Sequence, residues 1–301
     1  MSIGYIGLGH MGGALARRLQ QSRQLLAYDQ DEAALNRQAE AGSIPCATIG
    51  EIAARSDMIL LCLPTSDHVR AVLFGAAGIA AAARTGTLIV DQTTGDPNGT
   101  RAMAAELAGT GVELIDAPVS GGVRGAAAGT IAIMVGAGPE QYERVYPVLS
   151  AISPNVFHAG GVGAGHTIKL VNNLLSCAQR LLSCEAMTLA VKNGVEPQTA
   201  VDILVASGGR NAYLEKVMGP DIINGKLRAA FTLGLAHKDV RLACQLGIDS
   251  GIPMFFGNLT REMYQMGISD MGHDAKVDSV ALMLDRLAGT HVVPETETAH
   301  D

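Results

Sequence analysis

The chain has 301 residues, 48% of them hydrophobic and 17% charged, with a net charge of −7. That composition belongs to a globular protein long enough for two domains. The acidic balance argues against nucleic acid or an anionic membrane as the main partner, since both call for a clustered basic face; a small anionic substrate is still compatible with a locally positive pocket. The five cysteines (Cys46, Cys62, Cys177, Cys184, Cys244) are odd in number and form no CxxC pair. They read as reduced structural thiols of a cytoplasmic protein, with no metal site.

In chain order, the first half alternates short apolar strands with helical stretches. Ile3–Ile6 is strand-like and begins close to Met1, so no signal or transit peptide is expected. His10–Gln21 has helical spacing, Gln24–Tyr28 is the next strand, and Asp31–Glu40 is helical again. Further strands are expected at Met58–Leu63, Thr87–Asp91, Val112–Asp116, Thr130–Val135 and Asn155–His158. This alternation predicts an α/β domain over residues 1–162, a Rossmann-type doubly wound, mainly parallel sheet. From about Gly163 the pattern turns helical. Ala164–Asn193 reads as one long interdomain helix with Gly194 as its stop, and helical stretches follow at Glu196–Ser207, Gly234–Ser250, Pro253–Met266 and Val277–Leu287. An all-α domain over 163–289 is expected, then a disordered polar tail over 290–301. The apolar run Ile168–Ala190 contains Lys169, Asn172, Asn173, Gln179, Arg180 and Glu185, which favours a buried helix of a soluble protein over a membrane span.

Gly7, Gly9 and Gly12 form GxGxxG between the first strand and the first helix. Gly7 permits the tight turn, Gly9 lets the backbone approach a pyrophosphate, and Gly12 lets helix and strand pack closely; the phosphates then sit at the positive helix N-terminus. The expected cofactor loop therefore comprises Gly7, Leu8, Gly9, His10, Met11 and Gly12. Asp29, twenty residues after Gly9, ends the second strand where a carboxylate accepts ribose hydroxyls and repels a 2′-phosphate, favouring NAD over NADP. The alternative is a loop that only turns the chain, with Asp29 as the next helix's N-cap. Later strand ends should line the same crevice, which nominates Leu63, Pro64, Thr65, Thr93 and Thr94; Pro64 taken alone is an ordinary strand terminator.

Four segments in register carry a family resemblance: Gly4-Tyr-Ile-Gly-Leu-Gly-His-Met-Gly12, Asp116-Ala-Pro-Val-Ser-Gly-Gly122, Gly163-Ala-Gly-His-Thr-Ile-Lys-Leu-Val-Asn-Asn173, and Lys238-Asp239. With them the chain resembles the β-hydroxyacid dehydrogenases, typified by 3-hydroxyisobutyrate dehydrogenase and tartronate semialdehyde reductase and related to 6-phosphogluconate dehydrogenase. The resemblance implies a Rossmann domain, a long connecting helix and a helical domain that mediates homodimers or homotetramers. It implies that Ser120, Gly121 and Gly122 bind the substrate carboxylate, where a hydroxyl and exposed amides make an anion nest; a merely flexible loop is the alternative. It also implies that Lys169 is the catalytic lysine. Alcohol oxidation moves hydride from carbon and a proton from oxygen, and a lysine in a dry crevice is suited to take that proton. Asn173, four residues on, shares its helix face and would orient the substrate; Asn172 is the weaker candidate. Lys238 is placed by the resemblance on the carboxyl-domain side of the expected cleft, near the nicotinamide, and an ion pair with the adjacent Asp239 is not expected. Arg210 either pairs a second acidic group of the substrate or caps a helix. His68 and Arg18 stand where relatives often carry asparagine, and Gln92-Thr93 departs from a commoner small pair.

The expected activity is reversible hydride transfer between NAD and a small 3-hydroxy acid such as 3-hydroxyisobutyrate. A semialdehyde-acid reductase of tartronate or succinic type is the alternative. A non-catalytic NAD-binding module is disfavoured because Lys169, Asn173 and Ser120 are all present.

Overall fold

The computed structural model describes residues 1–294, and the chain divides into two compact units, the first ending at Lys169 and the second beginning at Leu170. In the first unit, strands β1 (Ile3–Ile6), β2 (Leu25–Tyr28), β3 (Ile44–Pro45), β4 (Met58–Leu61), β5 (Leu88–Asp91) and β6 (Glu113–Asp116) precede β7 (Val119–Ser120), β8 (Ala132–Gly136) and β9 (Val156–Gly160). The sheet order is β3-β2-β1-β4-β5-β6-β8-β7, with β9 paired to β8. Pairs among β1 to β6 are all parallel, whereas β6–β8 and β7–β8 are antiparallel. The order of the first six is that of a doubly wound dinucleotide-binding sheet, whose strand order reverses beside β1.

The central strands are buried on both faces, as a parallel sheet covered by helices requires. Alternation sends Tyr5, Leu60 and Val90 into one core, and Ile6, Ile59, Leu61 and Ile89 into the other. Helices α1 (His10–Gln20), α2 (Glu32–Glu40), α3 (Ile49–Arg55), α4 (Ser66–Phe74), α5 (Ile79–Ala82), α6 (Pro97–Ala108), α7 (Gly122–Ala128) and α8 (Pro139–Ile152) complete the unit. Asp31, Thr48, Thr65 and Asp96 cap α2, α3, α4 and α6 through first-turn amides, so these starts are written in local chemistry. The expected strands at Met58–Leu63 and Thr130–Val135 are displaced at their ends, to Leu61 for the first and to Ala132–Gly136 for the second. The two-residue strands β3 and β7 were not expected; each exists only through pairing with a longer neighbour.

Helix α9 (Ala164–Lys192) passes from the first unit into the second. Beyond it lie α10 (Pro197–Ala206), a π-helical turn at Leu214–Met218, α11 (Leu233–Asp249), α12 (Phe255–Met271) and α13 (Val280–Ala288). Their core gathers Cys177, Leu181, Cys184 and Met187 of α9 with Val240, Tyr264 and Val280. Within it Arg180 donates from Nε to Asp278 Oδ1 at 3.1 Å and lies over the Tyr213 ring at 5.0 Å. By length and composition α9 is apolar enough to cross a bilayer; its Arg180–Asp278 pair belongs to a protein core.

Residues 290–293 are not the loose tail that the sequence suggests. Asp285 of α13 accepts from Thr290 Oγ1 at 2.7 Å, from the Val292 amide at 3.0 Å and from the Val293 amide at 2.9 Å, so residues 290–293 are fastened to the helical unit. A buried carboxylate that satisfies two amides outweighs the polar composition that suggested disorder. The rest of that tail, from 295, lies outside the described residues.

Candidate active site

The glycine loop is built as its spacing demands. Gly7 has φ +92°, and Gly12 in α1 leaves no room for a Cβ against the Gly7 carbonyl. At Gly9, by contrast, an added Cβ would meet nothing within 4 Å, which leaves open space beside the backbone where a pyrophosphate would lie. No side chain caps α1, and its first turn has no acid. An uncapped, acid-free helix start beside open space fits a dinucleotide phosphate. His10 is exposed, Met11 half-buried and Leu8 buried. The Leu8 amide is already taken by Asp29 Oδ2 at 2.5 Å, and Asp29 Oδ1 accepts the Asp31 amide at 2.8 Å. Asp29 therefore fastens the glycine loop to the end of β2, with lone pairs left for ribose hydroxyls. It is not the cap of α2; that is Asp31, which accepts the Ala33 amide.

Leu63 is half-buried, Pro64 exposed and Thr94 half-buried, all just past strand ends on the side of the sheet that carries the loop. Thr93, which the sequence put beside Thr94, is a buried hub. Its Oγ1 accepts the Leu63 amide at 3.0 Å, its amide donates to Asp91 Oδ1 at 2.9 Å, and its carbonyl receives His166 Nε2 at 2.8 Å. Burial first, and then the Asp91 carboxylate, push the neighbouring Cys62 thiol up to about 12, and burial raises the carboxyl of Asp91. His68, one of the departures noted in the sequence, is exposed with Nδ1 2.7 Å from Thr65 Oγ1, at the start of α4.

Ser120 ends β7, and Gly121 (φ +139°) and Gly122 (φ +68°) turn the chain into α7. Those φ values favour glycine, and both glycines are exposed. The loop thus offers a hydroxyl and exposed amides at the sheet's carboxyl edge. Lys169 ends the first unit on α9 and is only 7% exposed, which sets it apart from an ordinary surface lysine. It lies one turn after His166, whose ring bonds to the Thr93 carbonyl.

In the second unit, Asn173 Nδ2 donates to Asp239 Oδ2 at 2.6 Å, and Asn172 Nδ2 donates to Asn173 Oδ1 at 3.1 Å. Lys238 Nζ lies 3.1 Å from Asp239 Oδ1. That overturns the expectation that adjacent residues on α11 do not pair: their Cβ atoms diverge, but a four-carbon stem bends back far enough to reach the carboxylate. Asp239, 2% exposed, thus holds both Asn173 and Lys238 and was missed as a participant; its only sequence signal was its place beside Lys238. Arg210 pairs with Glu215 and is largely exposed, a surface ion pair. Among the described residues no cluster of histidine, cysteine or carboxylate is arranged to hold a metal.

Residues 2–161 match the family described as the NAD binding domain of 6-phosphogluconate dehydrogenase, and residues 163–284 match the NAD-binding family of NADP-dependent 3-hydroxyisobutyrate dehydrogenase. The chain belongs to the β-hydroxyacid dehydrogenases. It is 37% identical over 268 residues to 2-(hydroxymethyl)glutarate dehydrogenase of Eubacterium barkeri, covering 89% of each chain. It is 33% identical over 264 residues to 3-sulfolactaldehyde reductase of Escherichia coli, covering 87% of this chain and 89% of the other. A solved structure of Mycobacterium tuberculosis 3-hydroxyisobutyrate dehydrogenase with L-serine superposes with a TM-score of 0.86 at 29% identity, over 94% of this chain and 98% of the other. The protein is accordingly a nicotinamide-dependent hydroxyacid dehydrogenase with a Rossmann-type first unit.

Proposed function

We propose that this dehydrogenase oxidises a small 3-hydroxy acid with NAD, and that Lys169 carries the proton. The observation that carries the reading is a lysine withdrawn from water on the first turns of α9, in the unit that holds the glycine loop and the Ser120 loop. Bound NAD supplies the hydride acceptor. Ser120 Oγ and the amides of Gly121 and Gly122 hold the substrate carboxylate. The Lys169 amine takes the hydroxyl proton as hydride leaves carbon, and returns it to the carbonyl oxygen in the reverse direction. Asn173, its amide oriented by Asp239, hydrogen-bonds the substrate, and Lys238 serves the nicotinamide end.

The Asp29 carboxylate at the end of β2 supports NAD over NADP, because a 2′-phosphate beside it meets a like charge. The relatives' names support small anionic substrates, including acids with a second anionic group, and also reduction of an aldehyde acid; that reductive reading uses the same residues. A homo-oligomer is supported by apolar side chains left in solvent on the second unit: Leu175, Leu182 and Leu189 on one line of α9, and Phe255 and Phe256 at the start of α12, 80% and 82% exposed. Five free cysteines suit a reducing compartment such as the cytoplasm. The test is an initial-rate screen of small hydroxy acids and semialdehyde acids with NAD and NADP in parallel. Turnover of one hydroxy acid with NAD is expected; preference for NADP refutes the role of Asp29, and no turnover across the panel refutes the substrate class.

A further inference from the structure

Asp116 and His166 lie within the motifs of the chain but have no part in the chemistry above. Asp116 closes β6 and is fully buried. Its Oδ1 accepts the Gly163 amide at 2.6 Å and its Oδ2 the His166 amide at 2.7 Å. These are amides at a helix start, which the helix cannot satisfy itself. The cap of α9 is therefore delivered by a strand about 50 residues earlier in sequence and not by a neighbouring Ser or Asp. The fit is tight: a Cβ on Gly165 would stand 2.8 Å from Asp116 Oδ2, and one on Gly136 2.7 Å from the same atom.

The His166 ring, also fully buried, makes the second attachment. Nε2 lies 2.8 Å from the Thr93 carbonyl and Nδ1 2.9 Å from Thr100 Oγ1. Thr100 Oγ1 also bonds the Asp96 carbonyl at 3.0 Å, so both ring nitrogens have a hydrogen-bonding partner and the hydroxyl is itself held in place. Asp91, 3.9 Å from Nε2, supplies a carboxylate beside them. Thr93 ties the ring onward to the Leu63 amide at the end of β4. Lys169 follows His166 by three residues, on the same side of the helix.

We propose that Asp116 and His166 are positioning residues for proton transfer: the carboxylate fixes the height of the first turn of α9, the imidazole fixes its rotation, and together they set where the Lys169 amine sits. The proposal rests on the reading of Lys169 as the proton carrier. A lysine has a long rotatable stem, and a helix start frays readily, so an unanchored first turn would spread the amine over many positions. A cap and a core histidine that served stability alone would be indifferent to whether Lys169 is present.

A double-mutant cycle in kcat separates the two roles. His166→Ala is expected to lower kcat about 10- to 100-fold, the cost of misplacing a reacting group by up to about 1 Å, with KM for the nucleotide changed less than about twofold. His166→Gln, which keeps a donor toward Thr93, is expected to restore most of that loss. In the Lys169→Ala background, His166→Ala is expected to cost less than about twofold more. Equal losses in the two backgrounds overturn the positioning role alone. An unchanged kcat for Lys169→Ala by itself overturns the reading of Lys169, and the proposal with it. Should His166→Ala fail to fold, Thr100→Val removes the Nδ1 partner, together with the bond from Thr100 to the Asp96 carbonyl, and runs the same cycle with a smaller expected loss, about 3- to 10-fold.

Discussion

Gly165→Ala tests how closely the start of α9 is fitted to the sheet. The added Cβ would lie 2.8 Å from Asp116 Oδ2, 3.0 Å from the Gly136 amide nitrogen, and closer still to the Met134 carbonyl oxygen. Even close carbon–oxygen contacts in proteins sit at about 3.3 Å, so the first turn must lift by about 0.5 Å or more. Neither neighbour is a flexible side-chain tip: the Met134 carbonyl belongs to β8, and the Asp116 carboxylate is pinned by two amides. Lys169 is one turn away and moves with the helix. A misplacement of about 1 Å costs roughly a hundredfold, so kcat is expected to fall about 10- to 100-fold. KM for the dinucleotide should stay within about twofold, because the glycine loop at β1 is untouched. The assay is steady-state NADH formation, with a thermal melt to verify the fold. Wild-type kcat in a folded Gly165→Ala variant would refute the reasoning, since it would mean that the helix start shifts without moving the chemistry.

Three further outcomes are expected. Asp239→Asn keeps the shape but removes the charge that holds Lys238 and accepts from Asn173; stability should drop by about 1–3 kcal/mol in a denaturant titration, and KM should rise both for the hydroxy acid, through Asn173, and for NAD, through Lys238. Burial pushes the Cys184 thiol up to about 12 against an ordinary 9.0. The native state then holds its proton longer than the unfolded chain, so this group leaves stability unchanged below pH 9.0 and lowers it as pH rises from there toward about 12. Near neutral pH, alkylation of the native enzyme should spare Cys184 and Cys62, as peptide mapping will show; labelling of either without unfolding contradicts it. Finally, Leu182→Asp, at a site 69% exposed on α9, should leave the fold intact and shift light-scattering mass toward the monomer if that face meets a second copy; an unchanged mass removes α9 from the interface.

Much of the first unit was legible in the sequence because its signals are local. Strand, glycine turn and helix follow one another within residues 3–20, and the open space at Gly9 is where the spacing of GxGxxG puts it. What escaped was set by partners far along the chain. β3 and β7 are two residues each and carry no periodicity of their own. Asp116 and His166 stood in quoted motifs without a role, since the cap joins a strand to a helix across a span no local pattern reveals. The Lys238–Asp239 contact was dismissed on Cβ directions, which say little about a long flexible stem. Residues 290–293 looked like tail because the run they open, 290–301, is polar and acidic as a whole, while the structure ties them to one buried carboxylate. The π-helical turn at Leu214–Met218 had no sequence signal, and nothing in the structure explains it.

The claim that the amine of Lys169 moves the proton is tested most directly by replacing it and offering an amine from solution. Lys169→Ala should lose about 10²- to 10⁴-fold in kcat while titrating with NAD as the wild type does, and small primary amines should restore part of the rate in proportion to their concentration. A Lys169→Ala enzyme that turns over at the wild-type rate, with no response to added amine, would contradict the account.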